Sequence, residues 1–401
     1  MHVAAVLLGC VILAGVLLDA FQTVILPRRP VGRLRLTRVF FLATWGPWLW
    51  LTGHLCTRRL REQLDSIYGP LSLLLLFGVW ASFLTLAYAL IYFGMHTPFV
   101  DPKNPVTALQ QMRTCLYVSG STLFTLGLGD VLPATHIARL FSVMEAGTGL
   151  GFVALVIGYL PVLYTAFSTR EIAVALLDAR AGSPPTAAEL LLRHNFSGGH
   201  HALTELLAEW ARWCAGLLET HISYPILCYY RSQHDNQSWL AALTAILDTC
   251  ALLITTIEGP NTRQAQLTFA VGRHVLVDLG HVFGREQVED RLRQSPPARL
   301  PEDEFARLCD LLGGAGFSLC GDRDARDRLT AIRSLYEPHA IAMAVYLRLS
   351  LPTWTPPARK PDGWSRVADL RTPQALSDRI TTHISPQSTA THLQDESSHR
   401  S

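Results

Sequence analysis

Three long apolar runs within the first 170 residues constrain the fold of this chain more than any other feature. Residues 3–25 include three polar side chains, residues 70–95 include no charged one, and residues 137–167 include only two charged ones, Arg139 and Glu145. A helix of about 20 apolar residues crosses the roughly 30 Å hydrocarbon core of a bilayer. Each run therefore predicts a membrane helix, and the lipid bilayer is an expected partner. The first run is expected to be a retained anchor, because no Lys or Arg precedes it.

The composition of the 401 residues agrees with a membrane protein. Charged residues make up only 16% of the sequence, whereas soluble domains carry roughly a quarter. The net charge of +2 gives no reason to expect a nucleic-acid partner. The cysteines form no CxxC pair, so neither a disulfide framework nor a cysteine-ligated zinc is expected. The adjacent His200 and His201 are expected to be solvated near a helix start rather than to bind a metal.

Arginines on both sides of the Trp-rich segment 40–55 indicate how the membrane helices are oriented. Five lie in residues 28–38 and three in residues 58–61, and positively charged loops stay in the cytoplasm. Both flanks thus favour the same side, and Gly46 with Pro47 disfavours a continuous spanning helix. The segment is therefore predicted to be interfacial or re-entrant, with the amino terminus outside and the carboxyl-terminal half in the cytoplasm. If the segment spans instead, the amino terminus lies inside.

A glycine-rich sequence, STLFTLGLGDVLP over residues 121–133, stands between the second and third runs. Non-helical backbone at membrane depth is tolerated only where it lines a wet cavity or is buried in protein. Stacked rings of backbone carbonyls in a pore can replace the hydration shell of a potassium ion. To aim successive carbonyls at one axis, the backbone must alternate in conformation, and glycine reaches positive φ without steric cost. Gly127 and Gly129 fit this requirement, and Thr125 can add its hydroxyl.

This arrangement resembles the pore of the potassium channel family, in which a pore helix precedes T-x-G-[Y/F/L]-G-D and a proline. Residues 70–168 resemble its two-transmembrane-helix pore unit: an outer helix, a pore helix over about 107–124, a filter and an inner helix. The resemblance implies that potassium, as the permeant ion, is bound by the backbone carbonyls of Thr125, Leu126, Gly127 and Leu128. The implied selectivity filter, with pore-helix support from Ser121 and Thr122, consists of Thr125, Leu126, Gly127, Leu128, Gly129 and Asp130.

One filter position departs from the commonest family pattern. Leu128 stands where tyrosine is usual, and leucine cannot donate the hydrogen bond with which a tyrosine hydroxyl braces the filter. The sequence therefore predicts a potassium-selective channel, with a non-selective monovalent cation channel as an alternative. A membrane-anchored helical signalling or scaffold protein with an inactive pore motif is a further alternative. No catalytic constellation is visible, so an enzyme is not expected, and no cofactor is expected beside the permeant ion.

The single filter motif and the inner helix give further expectations. Because a pore of this family needs four such loops around one axis, the chain is predicted to form a homotetramer. Three glycines of the inner helix, at Gly147, Gly149 and Gly151, are candidates for a gating hinge, with close helix packing as the alternative. Glu145 is expected to brace the pore helix from behind, with Ser121 or Arg113 as partner, and Asp19 to snorkel toward the arginine loop.

The second half of the chain has the patterns of a soluble helical domain. Thr186 followed by Glu189 is typical of a helix start, and apolar stripes fall on one face of the segments 203–218 and 239–257. The Gly-rich segment 313–316 lacks the third glycine of a nucleotide fingerprint. The sequence therefore does not predict a nucleotide site in this domain, and the expected partner of the domain is an unidentified ligand or protein.

The expected fold is an all-α membrane protein with four parts. Residues 1–69 hold the anchor helix, the arginine loop and the Trp-rich segment, and residues 70–168 form the channel pore domain. Residues 169–350 form the α-helical cytoplasmic domain, and residues 351–401 a disordered tail rich in Pro, Ser, Thr and His. The predicted location is the plasma membrane, which is the inner membrane of a bacterial cell, crossed several times.

Overall fold

A computed structural model describes residues 2–26, 35–55, 57–95, 99–100, 108–232, 237–284, 288–290, 292, 299–319 and 323–356. Most of these residues are helical, and three helices are long and apolar enough to cross a membrane: Val3–Ile25, Leu60–Gly94 and His136–Ala181. These helices coincide with the three apolar runs and confirm the all-α membrane class. Arg28, Arg29 and Arg33 of the arginine loop lie outside the described residues, as does the expected tail of residues 351–401 from residue 357 onward. Residues 351–356 of that tail are described, and they are packed rather than disordered, because Trp354 is fully buried.

The chain divides into two compact units, and each is described by itself. The first comprises Met1–Arg170, Gly216–Ser232 and His281–Phe283, and the second comprises the remaining segments, beginning at Glu171. The helices that begin in the first unit are α1 (His2–Ala20, extended by a π-helical turn over Phe21–Ile25), α2 (Leu36–Leu55), α3 (Arg58–Gly94), α4 (Ala108–Leu123) and α5 (His136–Ala181). Two short strands, β1 (Phe99–Val100) and β2 (Leu132–Pro133), pair antiparallel and join the segment after α3 to the segment before α5.

Helices α3 and α5 are longer than the apolar runs predict. The second run suggests a helix starting at Pro70, but α3 begins at Arg58 and continues through that proline. Its first turns are held by Asp65, which is buried and pairs with Arg231 at 3.3 Å. The 37 residues of α3 and the 46 residues of α5 give lengths of about 55 and 69 Å at 1.5 Å per residue. Both therefore exceed the roughly 30 Å that a bilayer crossing requires.

The Trp-rich segment forms one helix, α2, which is not interrupted at Pro47. The expectation that Gly46 and Pro47 break a helix here is wrong. Trp45 is buried and packs on Tyr68 at 4.5 Å and on Tyr229 at 5.1 Å between ring centroids, whereas Trp50 is exposed. Protein contacts therefore support the helix around the proline. Helix α2 is not among the three helices with the length and hydropathy of a span, and its interfacial location stays a prediction.

Asp19 lies inside the first unit rather than at its surface, which corrects the snorkelling expectation. Its carboxylate is 5% exposed and accepts hydrogen bonds from Trp80 Nε1 at 3.0 Å and from Thr37 Oγ1 at 2.6 Å. Arg35 Nε lies 3.6 Å from the same carboxylate. A buried carboxylate is stable only when hydrogen-bonded or paired. Asp19 thus ties α1 to α3 and to the start of α2.

The second unit is a helical bundle around one nearly fully buried helix. After Arg170 the chain continues through α6 (Ala187–Arg193), α7 (Gly199–Ser223), a 3₁₀ turn (Pro225–Tyr229), α8 (Trp239–Thr255), α9 (Thr262–Val282), α10 (Glu302–Gly314), α11 (Arg323–Arg333) and α12 (Glu337–Leu347). The end of α7, the 3₁₀ turn and the end of α9 belong to the first unit. Thr186 caps α6 by accepting from the Glu189 N–H, as its sequence predicts. Helix α8 is buried along its length, including Asp248.

Candidate ion-conducting site

The site begins at the carboxyl-terminal end of α4, which occupies the predicted pore-helix position. Two backbone hydrogen bonds continue the chain beyond the last helical residue. Thr125 N donates to Thr122 O at 3.0 Å, and Leu126 N donates to Ser121 O at 2.8 Å. Ser121 and Thr122 therefore hold the first residues of the predicted filter through their carbonyl oxygens.

The backbone alternates in sign of φ along the predicted filter. φ is +56° at Thr125, +56° at Gly127 and +74° at Gly129, and no intervening residue has a positive value. The glycines adopt this conformation without steric cost, as their positions in the sequence predict. Thr125 is β-branched, and positive φ is an outlier for such a residue, at a cost of about 1–3 kcal/mol. Strained backbone of this kind is concentrated at functional sites.

Asp130, at the end of the predicted filter, is fixed by two donors. Tyr117 Oη of α4 donates to Asp130 Oδ2 at 2.9 Å, and the Val131 N–H donates to Oδ1 at 3.1 Å. Beyond them, Arg139 Nε donates to Pro133 O at 3.3 Å, and β2 pairs with β1. The chain is thus tied to the pore helix before and after the filter. Tyr117 was not predicted, although a hydroxyl on the pore helix thirteen residues before Asp130 is visible in the sequence.

Large apolar side chains near the filter are exposed on the single chain. Phe124 is 54% exposed, Leu126 65% and Leu128 60%. The exposure continues along α5, where the following residues are also open: Ile137, Leu140, Val143, Met144, Leu150, Val153, Ile157 and Tyr164. Apolar surface of this extent marks contact with another protein surface or with lipid. The direction in which the Leu128 side chain points relative to a pore axis stays a prediction.

The three glycines of α5 named as hinge candidates differ in their surroundings. A Cβ at Gly149 would lie 1.9 Å from Leu123 O and 2.8 Å from Leu123 C, at the end of the pore helix. At Gly147 and Gly151 a Cβ would meet nothing within 4 Å. Gly149 therefore permits close packing of α5 on α4, which is the alternative to a hinge. For Gly147 and Gly151 the hinge stays a prediction.

Glu145 is fully buried behind the pore helix, but its partners differ from those expected. Its Oε1 contacts Ser119 Oγ of α4, and its Oε2 accepts from Tyr92 Oη of α3 at 2.7 Å. Neither Ser121 nor the exposed Arg113 is its partner. Ser119 lies two residues before Ser121, which is a rotation of about 200° around the helix and thus the opposite face. The bracing itself agrees with the expectation.

The chemistry of this site is that of oxygen dipoles and hydroxyl groups. Among the residues that the structure describes, no group of three or more His, Cys, Asp or Glu side chains is placed to hold a metal ion. The exposed filter backbone at residues 125–129 offers carbonyl oxygens instead, which suit a weakly held, permeant cation.

Comparison with known proteins agrees with this geometry. Residues 75–165 match the Ion_trans_2 family model, which is described as an ion channel. The uncharacterized membrane protein YdjJ of Bacillus subtilis (strain 168) is 28% identical over 204 residues, which are 50% of this chain and 57% of that protein. The chain thus spans little more than half of this relative's length. No solved structure gives a significant match. The match of residues 75–165 to an ion-channel family model confirms the resemblance to a two-helix pore seen in the sequence.

Proposed function

We propose that the protein conducts potassium ions passively through a pore formed by four copies of the chain. The observation that carries this proposal is the alternation of φ at Thr125, Gly127 and Gly129 directly after the pore helix. Alternation at every second residue lets successive carbonyl groups face the same side of the backbone. Carbonyls of Thr125, Leu126, Gly127 and Leu128 would then replace the water around a dehydrated potassium ion.

We expect a tetramer because one chain cannot surround an ion with carbonyl oxygens. A single extended filter presents carbonyls from one side, whereas a dehydrated ion needs oxygens all around it. Cyclic symmetry supplies the other sides with identical strands, and it also covers part of the exposed apolar surface on α5. The filter motif occurs once in the sequence, so four chains provide four loops. Lipid of the plasma membrane would cover the remaining apolar surface.

A non-selective monovalent cation channel is the second candidate. Leu128 favours it, because its side chain is apolar and cannot brace the filter by a hydrogen bond. If carbonyl spacing sets selectivity, a less firmly held ring of carbonyls admits sodium more readily. The match of residues 75–165 to an ion-channel family model argues for transport rather than catalysis, and we assign no enzymatic reaction. The helical second unit would hold an unidentified ligand or protein partner.

Flux through purified full-length protein in liposomes tests the proposal. Vesicles loaded with potassium are diluted into potassium-free buffer, and an ionophore for a second ion balances the charge that leaves, so that net potassium efflux can be measured. Matched vesicles are loaded with sodium and treated in the same way. We expect potassium efflux that exceeds sodium efflux, and no flux in vesicles that hold Gly129→Ala protein. Equal potassium and sodium flux would favour the second candidate. Absence of any flux from correctly assembled protein would support the scaffold alternative.

A further inference from the structure

Glu145 occupies a buried position where three helices of the first unit meet. It lies on α5, Ser119 on α4 and Tyr92 on α3. Both Glu145 and Ser119 are 0% exposed, and Tyr92 is likewise fully buried. No Arg or Lys pairs with Glu145 among the residues that the structure describes. An unpaired ionised carboxylate at such a place would be costly, whereas a neutral carboxylic acid is not.

The hydrogens available in this cluster can be counted. Ser119 Oγ lies 2.9 Å from the Thr85 carbonyl oxygen and also contacts Glu145 Oε1. Tyr92 Oη lies 2.7 Å from Glu145 Oε2. A serine and a tyrosine hydroxyl each supply one hydrogen, so two hydrogens serve three oxygen–oxygen contacts. One contact would therefore bring two lone pairs together without a hydrogen between them.

The surrounding hydroxyls supply no further hydrogen. Ser142 Oγ lies 3.4 Å from Tyr92 Oη, but its own hydrogen goes to Ala138 O at 2.9 Å, and Thr148 Oγ1 donates to Met144 O at 2.9 Å. Tyr88 Oη then donates to Thr148 Oγ1, 2.9 Å away. Besides the tyrosines, Cys115 of α4 is a buried titratable group of this cluster; it packs with apolar side chains, and α1 contributes the apolar Leu13. The missing hydrogen must come from Glu145 itself.

We infer that Glu145 is a protonated acid that donates to Ser119, and so positions the pore helix through a relay from α5 to α4 and α3. In this relay the carboxyl O–H of Glu145 donates to Ser119 Oγ, and Ser119 donates to Thr85 O. Tyr92 donates to the second carboxyl oxygen of Glu145. Each of the three contacts of Ser119 and Glu145 then contains one hydrogen. The inner helix and the pore helix are coupled by a proton rather than by an ion pair.

Loss of this proton breaks the relay at the hydrogen bond between Ser119 and Thr85. Ionised Glu145 faces Ser119 as an acceptor, so Ser119 must turn its hydrogen away from Thr85 O and leave that carbonyl in contact with a lone pair. A buried carboxylate without a cation also adds a desolvation cost. The relay is therefore complete while Glu145 carries its proton and is lost when a rise in pH removes that proton. The filter, six residues after Ser119, loses its support from behind.

Infrared spectroscopy of the full-length protein in bilayers tests the resident proton without any assumption about conduction. We expect a protonated-carboxyl C=O band at neutral pH that is absent in Glu145→Gln and retained in the control Glu209→Gln. Glu209 is a suitable control because its side chain is 55% exposed on α7. A spectrum of Glu145→Gln identical to that of the wild type in this region would overturn the inference.

Flux measurements test the positioning role, and this arm alone rests on the proposed function. A glutamine amide at this position keeps an acceptor for Tyr92 and a donor for Ser119, so Glu145→Gln should conduct at neutral pH and keep its flux as the pH rises. Wild-type protein and Glu209→Gln should lose flux reversibly over the same alkaline range. An alkaline loss in Glu145→Gln equal to that of wild type would refute the positioning role. If wild-type protein conducts nothing, the infrared result still decides the protonation.

Discussion

Replacement of Gly149 by alanine should separate a packing role from a hinge role in the inner helix. The new Cβ would lie 1.9 Å from Leu123 O, whereas ordinary van der Waals contact begins at 3.4 Å. The nearest atoms are backbone, so relief requires α4 and α5 to move apart by about 1.5 Å, and overpacking of this kind costs typically about 1–3 kcal/mol. Leu123 lies two residues before Thr125, so the displacement reaches the filter directly.

Alanine at Gly147 and Gly151 provides matched controls on the same helix. A Cβ at either position meets nothing within 4 Å, and alanine favours a helix over glycine by roughly 0.5–1 kcal/mol. Thermal unfolding in detergent and potassium flux in liposomes are measured for all three variants. We expect a lower unfolding midpoint and loss of flux for Gly149→Ala only. Wild-type stability and flux in Gly149→Ala would refute the close packing, and altered flux with unchanged stability at Gly147 or Gly151 would indicate a hinge there.

Four further predictions concern the filter, the second unit and the topology. Gly127→Ala or Gly129→Ala should abolish potassium flux, because alanine disfavours φ of +56° or +74°, while size-exclusion chromatography should still show the tetramer. Unchanged flux in either variant would show that these residues do not form the filter. Leu128→Tyr should raise the ratio of potassium to sodium permeability if the pocket accepts the ring, and an unchanged bi-ionic reversal potential would make Leu128 a neutral substitution. Asp248→Ala should destabilise the second unit by roughly 3–5 kcal/mol, because Arg299, whose side chain is only 10% exposed, loses the fully buried carboxylate that lies 2.8 Å from it. Asp303→Ala is the control: its side chain is exposed, so the unfolding midpoint should change little, and equal effects of the two substitutions would contradict this account. A cysteine introduced at position 28 and one in the second unit should both be protected from membrane-impermeant reagents in intact cells, whereas labelling at position 28 alone would mean that residues 40–55 span the membrane.

The sequence predicted those features that the solvent imposes. Backbone in hydrocarbon must satisfy its own hydrogen bonds, so the apolar runs had to be helices. The positive φ of Gly127 and Gly129 was also predictable, because glycine is the residue that reaches it freely. The positive φ of Thr125 was not, since its side chain disfavours that conformation.

What the sequence could not give is how the helices face one another. Residues two apart on a helix point in nearly opposite directions, so the choice of Ser119 over Ser121, or of Gly149 over Gly147, depends on the rotation of packed helices. That rotation is set by contacts between distant segments, such as Asp19 with Trp80. The start of α3 was misplaced for a related reason, because buried contacts of Asp65 outweigh the local effect of Pro70.

The reversal potential of wild-type channels in a planar bilayer tests the central claim most directly. With potassium on one side and sodium on the other at equal concentration, a pore lined by carbonyls of Thr125 to Leu128 should give a current that reverses at a potential far from zero, with the sign of a potassium-selective conductance. A reversal potential near zero would contradict potassium selectivity and identify a non-selective cation pore.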